Sequence, residues 1–569
     1  MKNFLKIFHS FTDREKRDIY INTSLMFLVS ILEAFSIGLI FPISQLIFND
    51  DKVFLKLLFF DNKNENILFL IFLFIFIIIL KNIFFSFVHY RISVFSENIR
   101  NNLARFIFNK YIFTDYLEYL KLKPGETIRN LSSYPSIYQQ YIFTGISLIQ
   151  EIFIVFMITT ILLVTSFNAT ILGLISILFI VIFSKFIFKK RLKNIGMTLA
   201  ENTAKYSKYI HFSMSCIKDI KLFQSENEFE KRFNNFFEKY SKASALNQFL
   251  NSLPKFLAEI YLTIIMGILF LYIHLSGLNI ENYLSTMSVF AVAALRLLPS
   301  GSKIIINNNT ISFLNPMISD ILDLFKKQNN DKIKTVVEDI ITKNLKDTYD
   351  EKNYFEVKDL NFHFLNGKNK IETKLINLSF KIQKNSIFGI IGKSGSGKST
   401  LLNIICGLIN PISGAILYKN QDIRNLKDSW KKKIGYVPQE VKIFDDTLLN
   451  NITMYNREFL KNDKINIYLD ILNLKEFIDT LPEGLQTILG SEGIELSVGQ
   501  KQRIGLLRAI IRDPEILILD ETTSSLDKKT EDLILSFINK IKKNKTIIFI
   551  SHDQNLSNIY DEKINLDYQ

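Results

Sequence analysis

A glycine-rich loop that ends in a lysine and two hydroxyl residues is the strongest chemical signal in the sequence. The loop reads GKSGSGKST and lies between the apolar stretches SIFGII and LLNIICGL. This order predicts a strand, a loop and a helix, in which glycines let backbone N–H groups surround phosphates at the helix N-terminus. The lysine adds a point charge, and the first hydroxyl is a ligand for Mg²⁺. The residues predicted to bind a nucleotide here are Gly392, Ser394, Gly395, Gly397, Lys398, Ser399 and Thr400.

Two carboxylates end an apolar run further along the chain. The run EILILDE starts at Glu515 and finishes with Asp520 and Glu521. At the end of a strand, Asp520 would hold Mg²⁺ through water, and Glu521 would polarise the attacking water as a general base. The order of loop and carboxylates predicts hydrolysis of a nucleoside triphosphate.

Four further motifs narrow the choice among proteins that carry such a loop. They are YVPQ ending at Gln439, LSVGQ ending at Gln500, SSLD ending at Asp527, and ISH ending at His552. In order and spacing they resemble the Q-loop, signature, D-loop and H-switch of the ABC transporter ATPases. The resemblance covers essentially all of residues 354–569 and implies ATP as the nucleotide.

The resemblance also implies a role for individual residues. Gln439 would sense Mg²⁺ and the attacking water, and His552 would contact the γ-phosphate. Phe364 stands where the family has an aromatic residue stacked on adenine. In this family the signature of one subunit completes the ATP site of the other. The residues assigned to the site on that basis are Ser497, Gly499, Gln500 and Asp527.

Two departures from the family pattern lead to expectations of their own. Val498 replaces the first glycine of the usual LSGGQ, and a β-branched residue resists a positive φ and crowds a phosphate. We therefore expect hydrolysis that is slowed. After His552 the sequence is expected to lack the family's final strand and Asp-Gly turn, with an effect on peripheral stability rather than on chemistry.

The first 325 residues have a different character, because they contain runs apolar enough to cross a bilayer, for which about 20 residues are needed. The run ILFLIFLFIFIIIL at 67–80 has no polar stripe of the kind that a helix of a soluble protein shows. The six predicted spans are 19–48, 67–80 with its continuation to 88, 142–167, 171–188, 256–275 and 283–306.

The net charge of +13 is placed beside these runs rather than on a nucleic-acid-binding face. Residues 91–136 and 189–250 are basic at their membrane ends and are expected to be cytoplasmic, as helical extensions ending in turns. The N-terminal segment is amphipathic, with Phe4, Ile7, Phe8 and Phe11 at helical spacing, and is expected on the membrane surface. The two cysteines, Cys216 and Cys406, exclude a disulfide framework and a zinc cluster.

The change in character along the chain, together with the resemblance to the ABC transporters, implies three parts. An all-α transmembrane domain of the ABC exporter fold spans 1–325, a polar linker spans 326–353, and an α/β P-loop ABC ATPase domain spans 354–569. One membrane domain with one ATPase domain is a half-transporter, so the working unit is expected to be a homodimer, or a heterodimer with a paralogue. The expected location is the bacterial inner membrane, with the ATPase domain in the reducing cytoplasm.

Charged residues within or near the spans bear on the cargo. They either line a polar cavity for a hydrophilic head group or pair with one another inside the protein. These candidate cavity residues are Glu33, Glu151, Glu259 and Arg296. If the cargo is a sugar-bearing polyprenyl diphosphate, the glutamates fit its anionic diphosphate poorly, so Arg296 and Lys303 would have to contact it.

The membrane motifs FLVSILEAFSIGLIFPI, NSLPKFLAEI and LRLLPSGSKI resemble those of bacterial lipid-linked oligosaccharide flippases. The resemblance implies a lipid-linked cargo that ATP binding and hydrolysis move by alternating access, with turns near 124–136 and 216–223 passing on the closure of the ATPase domains. Residues 53–60 would form an interfacial helix that meets the lipid, or extend the first span. The alternatives are an exporter of a peptide, toxin or ordinary lipid, and a non-hydrolysing regulatory partner in a heterodimer.

Overall fold

The computed structural model describes most of the chain. The described residues are 7, 11–48, 63–122, 124–165, 167, 170, 194–199, 201–203, 205–275, 281–331, 354–365, 371–456, 458, 464–490, 493–523, 526–552 and 558–568. They form two compact units. The first contains Met1–Thr114 and Lys121–Asp339, and the second contains Asp115–Leu120 and Ile340–Gln569. Most of the predicted linker, from 332 to 353, lies outside the described residues.

The first unit is helical. Its named helices are α1 (Asp13–Gly38), α2 (Ile40–Phe48), α3 (Lys63–Ile112), α5 (Pro124–Ser132), α6 (Tyr134–Thr165), α7 (Ile217–Leu222), α8 (Glu226–Leu275) and α9 (Glu281–Asp331), with α4 (Tyr116–Tyr119) belonging to the second unit.

Within the described residues, four segments are long and apolar enough to cross a membrane: Asp13–Ile47, Asn64–Ile112, Glu126–Thr165 and Met287–Phe325. They correspond to four of the six predicted spans. The predicted span at 256–275 falls in α8, which ends at Leu275. The predicted span at 171–188 and the segment 53–60 lie outside the described residues.

The helix of the first predicted span is interrupted at one residue, Leu39, whose backbone stays in the α region. The helix α1 ends at Gly38 and α2 begins at Ile40. Pro42 has no N–H to donate to the carbonyl four residues earlier, which belongs to Gly38, and this missing bond accounts for the break. At its other end α1 begins with a capping box, in which the Thr12 side chain accepts from Glu15 N and the Glu15 side chain accepts from Thr12 N.

The N-terminal segment differs in part from the expectation. Ile7 and Phe11 are buried in the core of the membrane unit, among residues of α1, α3 and α6. These two side chains therefore contribute to the protein core rather than to a membrane surface. Phe4 and Phe8 lie outside the described residues.

The helices α3 and α8 extend well beyond a bilayer. Each has 50 residues, which at 1.5 Å per residue is about 75 Å, against about 30 Å for a hydrocarbon core. This confirms the expected helical extensions. The expected turns are themselves short helices, α5 in 124–132 and α7 in 217–222. The segment that groups with the second unit is Asp115–Leu120, whose Tyr116 and Leu117 pack against that unit's core.

The second unit is built on sheets. Its strands are β1 (Phe355–Leu365), β2 (Ile371–Ile382), β3 (Ile387–Ile391), β4 (Ser413–Tyr418), β5 (Gln421–Asp422), β6 (Ile434–Val437), β7 (Asp446–Thr447), β8 (Ile488–Leu489), β9 (Ile516–Asp520), β10 (Thr546–Ser551) and β11 (Glu562–Asn565). An antiparallel sheet has the order β2-β1-β4-β5, a parallel sheet has the order β11-β3-β10-β9-β6, and β7 pairs with β8. The helices are α10 (Lys398–Ile405), α11 (Ile423–Leu426), α12 (Asp428–Lys433), α13 (Leu448–Thr453), α14 (Lys464–Ile471), α15 (Lys475–Asp479), α16 (Val498–Ile510) and α17 (Lys528–Ile541).

The parallel sheet is covered on both faces, as its apolar strands predict. Alternate residues of β9 show this directly. Leu517 and Leu519 belong to one buried cluster, whereas Ile516 and Ile518 belong to the other. The predicted strands in SIFGII and EILILD are β3 and β9, and the predicted α/β architecture of this unit is confirmed.

The expectation that the final strand is missing is wrong. Residues Glu562–Asn565 form β11, which pairs in parallel with β3, and a 3₁₀ turn at Leu566–Tyr568 follows. Leu566 is buried in the core of the unit. Burial of this apolar side chain stabilises β11 against the sheet. The strand was not expected because the sequence lacks the Asp-Gly turn that follows it in the family.

Candidate functional site

The predicted catalytic residues meet because four neighbouring strands of the parallel sheet end at one edge. The phosphate loop follows β3, His552 follows β10, Asp520 is the last residue of β9, and Gln439 lies two residues beyond β6. These strands are adjacent in the order β3-β10-β9-β6. The topology alone thus places all four motifs at the carboxyl edge of the sheet.

The phosphate loop depends on its glycines. Gly395 and Gly397 have φ values of +87° and +96°, which other residues rarely adopt. A Cβ on Gly392 would lie 2.5 Å from the Ser396 hydroxyl oxygen. Ser394 is exposed in the loop, and the helix α10 begins with Lys398, Ser399 and Thr400. The loop therefore adopts the geometry that the sequence predicted.

Lys398 is buried beneath the loop. Its Nζ donates to the carbonyl oxygens of Gly392, at 2.5 Å, and Lys393, at 2.9 Å. The same Nζ lies 4.0 Å from Glu521 Oε1. The lysine charge is therefore held between the loop and the end of β9, where a bound phosphate would have to lie.

Glu521 is contacted by three of the predicted residues. Gln439 Nε2 donates to Glu521 Oε2 over 2.9 Å, and His552 Nδ1 lies 3.4 Å from the same oxygen. Lys398 faces the other carboxylate oxygen. The Glu521 backbone has a φ of +46°, which is strained for a residue with a side chain.

Asp520 is held by a residue to which the sequence reasoning gave no role. The Tyr436 hydroxyl donates to Asp520 Oδ2 over 3.2 Å. Burial raises the pKa of Asp520, and the neighbouring charge of Glu521 raises it further, whereas Tyr436 and Lys398 act in the opposite direction. Burial and the nearby Asp520 also raise the pKa of Tyr436. The position of Tyr436 within the YVPQ motif was the available signal.

The predicted Mg²⁺ ligands fit that ion chemically. Mg²⁺ prefers oxygen donors, and the set comprises the Ser399 hydroxyl, the Asp520 carboxylate and the Gln439 amide oxygen. Gln439 turns its nitrogen towards Glu521, so its oxygen is not used in that bond. Two adjacent carboxylates, Asp520 and Glu521, with one nearby lysine also favour a cation electrostatically.

The signature residues cap a helix. Ser497 is the N-cap of α16, Gln500 N donates to Ser497 Oγ over 3.2 Å, and Ser497 N donates to Gln500 Oε1 over 2.8 Å. These two residues bond each other rather than the phosphate loop. Gly499 lies against Thr530, because a Cβ there would be 3.3 Å from that side chain. Asp527, the N-cap of α17, accepts from Thr530 N and Thr530 Oγ1.

The concern about Val498 is not supported by its backbone. Val498 is the first residue of α16 and is not among the non-glycine residues with positive φ. A β-branched residue is compatible with that conformation. Its side chain is 54% exposed at the helix N-terminus, so any effect on a bound phosphate would be steric.

A second contact that the sequence reasoning missed links the signature helix to the Q-loop. Gln502 is buried, and its Nε2 donates to the backbone oxygen of Gln439 over 2.7 Å. Gln439 is therefore held at its side-chain amide by Glu521 and at its backbone oxygen by Gln502. Phe364 lies in β1, and its side chain lies outside the described residues.

The charged residues of the membrane unit pair with one another. Arg296 Nε donates to Glu33 Oε1 over 2.8 Å, and Lys81 Nζ lies 3.0 Å from Glu33 Oε2. Lys303 Nζ donates to Glu151 Oε1 over 2.9 Å. Glu33 and Glu151 are buried, while Glu259 is exposed on α8. Of the two alternatives from the sequence, these distances favour internal pairing, with Lys81 as the partner that was missed.

Comparison with known families matches both units. The family described as ABC transporter transmembrane region matches residues 24–295, and the family described as ABC transporter matches residues 375–524. Together they cover the two parts in the order that the sequence predicted.

Relatives agree with this assignment. A Rickettsia bellii protein described as an export ATP-binding/permease protein is 30% identical over 490 residues, which is 84% of this chain and 80% of the relative. The ATP-dependent lipid A-core flippase of Haemophilus influenzae is 28% identical over 433 residues, which is 74% of this chain and 70% of the relative.

A solved structure shares the fold. The structure of a bacterial Atm1-family ABC exporter with ATP bound superposes with a TM-score of 0.73 at 19% identity, covering 98% of this chain and 94% of that one. The families, the relatives and the fold show a multi-pass membrane exporter that binds ATP and couples its hydrolysis to transport. The chain therefore belongs to the ABC transporter family, as a half-transporter of the exporter fold with its ATPase domain fused behind the transmembrane domain.

Proposed function

We propose that this half-transporter works as a homodimer in the bacterial inner membrane and moves a lipid-linked oligosaccharide across it. The observation that carries the cargo assignment is the charge of the partly buried cluster formed by Glu33, Lys81 and Arg296. Its two cations and one carboxylate leave the cluster with a net charge of +1. The membrane motifs and the relative named as a lipid A-core flippase also support a lipid cargo.

The excess positive charge suits an anionic diphosphate. The Arg296 side chain is 24% exposed, whereas that of Glu33 is 8% exposed, so the arginine has surface available to a head group. A diphosphate would compete with Glu33 for Arg296, because both present oxygen pairs that a guanidinium binds in the same way. Lys303, half-exposed beside Glu151, would supply a second cation.

The roles of the ATP-site residues are proposals that rest on the geometry described above. Glu521 acts as general base towards the attacking water. Gln439 orients the Glu521 carboxylate, and His552 contacts the γ-phosphate. Lys398 neutralises phosphate charge. Mg²⁺ bound to Ser399, Gln439 and Asp520 would supply further charge neutralisation at the phosphates.

A second copy completes each site in this proposal. The N-terminus of α16 presents backbone N–H groups of the signature, and such a helix end binds anions. Ser497 and Gln500 hold this end in shape through their capping box. The phosphate loop of one subunit and the signature of the partner subunit would enclose one ATP, so two equivalent sites form in a homodimer.

The test is reconstitution of the purified chain in liposomes with a fluorescent lipid-linked oligosaccharide. We expect the label to change leaflet with ATP and Mg²⁺, and to remain in place with the Glu521→Gln variant, which keeps the shape of the side chain but lacks the base. Arg296→Gln should reduce transfer, while Lys242→Gln, at an exposed surface pair, should not.

Other outcomes would overturn parts of the proposal. If only unrelated lipids or peptides stimulate ATP hydrolysis, the cargo assignment is wrong. If the unmutated homodimer hydrolyses no ATP, the chain is a regulatory partner in a heterodimer, and co-expression with a paralogous half-transporter should then restore turnover.

A further inference from the structure

The strand β11 runs beside the strand that carries the phosphate loop. In the parallel ladder, Glu562 lies opposite Phe388 and Asn565 lies opposite Ile391. Ile391 is the residue directly before Gly392, so the residues that follow Asn565 fall beside the start of the loop. The register of the two strands therefore places Leu566 and Asp567 next to the loop.

Several contacts hold this segment in register. Ile387 N donates to Asp561 Oδ2 over 2.7 Å, and Asp561 N donates to Ile387 O over 2.9 Å, at the start of β3. The ring of Tyr560 occupies the space over Gly389, where a Cβ would lie 2.6 Å from it. Leu566 is 4% exposed and anchors the far end in the core.

The segment ends on the phosphate loop itself. Lys393 N, in the loop, donates to Asp567 Oδ1 over 2.6 Å, a short bond to a charged acceptor. Asp567 N in turn donates to Asn565 Oδ1 over 3.0 Å, which fixes the turn that directs the carboxylate. Since Lys393 O accepts from Lys398 Nζ, both backbone groups of Lys393 are bonded.

We propose that Asp567 is a positioning residue, which holds the phosphate loop in its nucleotide-binding conformation through the backbone N–H of Lys393. This deepens the proposed function, because it rests on the loop that begins at Gly392 being the site that binds ATP. When Lys398 turns towards phosphates, its bonds to the loop carbonyls must weaken. The Asp567 bond does not depend on Lys398 and would keep the loop in place.

The charge of Asp567 argues that the hydrogen bond is the reason for its presence. A carboxylate beside a loop that binds an anionic triphosphate repels it, so charge alone would only weaken binding. Asparagine keeps an acceptor oxygen and removes the charge, whereas alanine removes both. The two substitutions therefore separate positioning from electrostatics.

The experiment measures ATP affinity and steady-state ATPase kinetics of the full chain in lipid nanodiscs. We expect Asp567→Ala to raise the Kd and the KM for ATP about 3- to 10-fold, which is the worth of one hydrogen bond, with kcat at saturating ATP within about 2-fold. Asp567→Asn should bind ATP at least as tightly as the unmutated chain. The matched control is Asp428→Ala, an exposed pair with Lys431 in the same unit, which should change nothing.

The outcomes that would overturn the proposal are distinct. If Asp567→Ala and Asp567→Asn both tighten ATP binding equally, Asp567 acts only by repulsion. If Asp567→Ala leaves Kd and KM unchanged, the bond has no positioning role. Lys398→Ala tests the underlying ATP site. If this variant still binds ATP, the assignment of the phosphate loop as the ATP site is wrong. If Lys398→Ala loses ATP binding while Asp567→Ala binds ATP as the unmutated chain does, only the role of Asp567 is wrong. Asp567→Ser, with a shorter acceptor, provides an intermediate case if Asp567→Ala does not fold.

Discussion

Gln439 Nε2 donates a hydrogen bond to Glu521 Oε2 over 2.9 Å, joining the Q-loop to the proposed catalytic base. The backbone oxygen of the same glutamine accepts from buried Gln502 over 2.7 Å. Because Gln439 is held at both ends, the orientation of the Glu521 carboxylate depends on a residue that follows the neighbouring strand β6. The base is therefore positioned by packing of the whole carboxyl edge rather than by its own strand.

Replacing Gln439 with alanine should slow hydrolysis without preventing ATP binding. The substitution removes an orienting contact of Glu521 and a proposed Mg²⁺ ligand, and misplacement of a catalytic group costs up to about 100-fold in rate. We expect kcat to fall about 10- to 100-fold with the KM for ATP changed by less than about 3-fold. Steady-state ATPase assays check this, with Gln486→Ala at an exposed position as the control. An unchanged kcat would remove Gln439 from the site.

Proline at position 498 should separate the fold of the signature helix from its function. Val498 is the first residue of α16, where proline is well tolerated. Ser497 already has the extended backbone that a following proline favours, with φ −64° and ψ 158°. Val498→Pro should unfold at the same temperature as the unmutated chain, yet lose at least about 10-fold in kcat, because the N–H offered to the partner's nucleotide is lost.

Val498→Ala is the comparison, since it keeps that N–H and trims the exposed side chain. It should hydrolyse ATP at least as fast as the unmutated chain. If both variants behave alike in the ATPase assay, the backbone of the signature does not contact nucleotide.

The site was predictable from sequence to the extent that its signals are local. The glycines of the phosphate loop indicate a positive φ, as found at Gly395 and Gly397, and apolar runs that end in polar residues indicate strand ends. Once the strands are parallel, their carboxyl ends meet, so Asp520 and His552 had to approach the loop. Contacts that require exact side-chain packing, such as Gln502 with Gln439, gave no such signal.

Ion pairs between residues far apart in the chain could not be predicted from the sequence, for a physical reason. Arg296 and Glu33 are separated by 263 positions, and which glutamate meets which cation depends on how the helices pack. The pattern showed that the charges were costly but could not choose between pairing and a cavity. Similarly, β11 was missed because its stability comes from its register beside β3 and from burial of Leu566, not from a motif.

Removal of Glu33 should destabilise the membrane unit. The buried Glu33 carboxylate contacts Arg296 through one oxygen and Lys81 through the other, so Glu33→Gln leaves two partly buried cations without their shared anion. Breaking a buried ion pair costs about 3 to 5 kcal/mol. The double variant Glu33→Gln with Arg296→Gln should recover part of that loss, because only one cation then remains. Thermal unfolding in nanodiscs provides the measurement, and Glu238→Gln at an exposed pair is the control. A double variant less stable than Glu33→Gln would contradict the pairing.

Glu515 should stabilise the ATPase unit in a pH-dependent manner. Burial acts to raise the pKa of Glu515, but hydrogen bonds from Lys433, Tyr418 and Lys419 outweigh it and lower the pKa from 4.5 to about 2. Tyr354 also donates to this carboxylate, over 3.0 Å. These partners come from the antiparallel sheet and from the start of β6, so the cluster ties the two sheets together.

The sign follows from the lowered pKa. The ionised carboxylate stabilises the fold fully above pH 4.5, and this contribution is lost as the pH falls from about 4.5 to about 2. Because the side chain is 37% exposed, solvent screening reduces the contribution to about 1 to 2 kcal/mol. Glu515→Gln should therefore unfold at a lower temperature than the unmutated chain at pH 7, since Lys433 and Lys419 lose their shared anion. The difference between the two unfolding temperatures should shrink as the pH is lowered from about 5 towards about 3. Glu440→Gln, at an exposed pair with Lys442, is the control and should show no difference at any pH. A difference for Glu515→Gln that stays constant with pH would mean that the side chain acts through its shape and not through its charge.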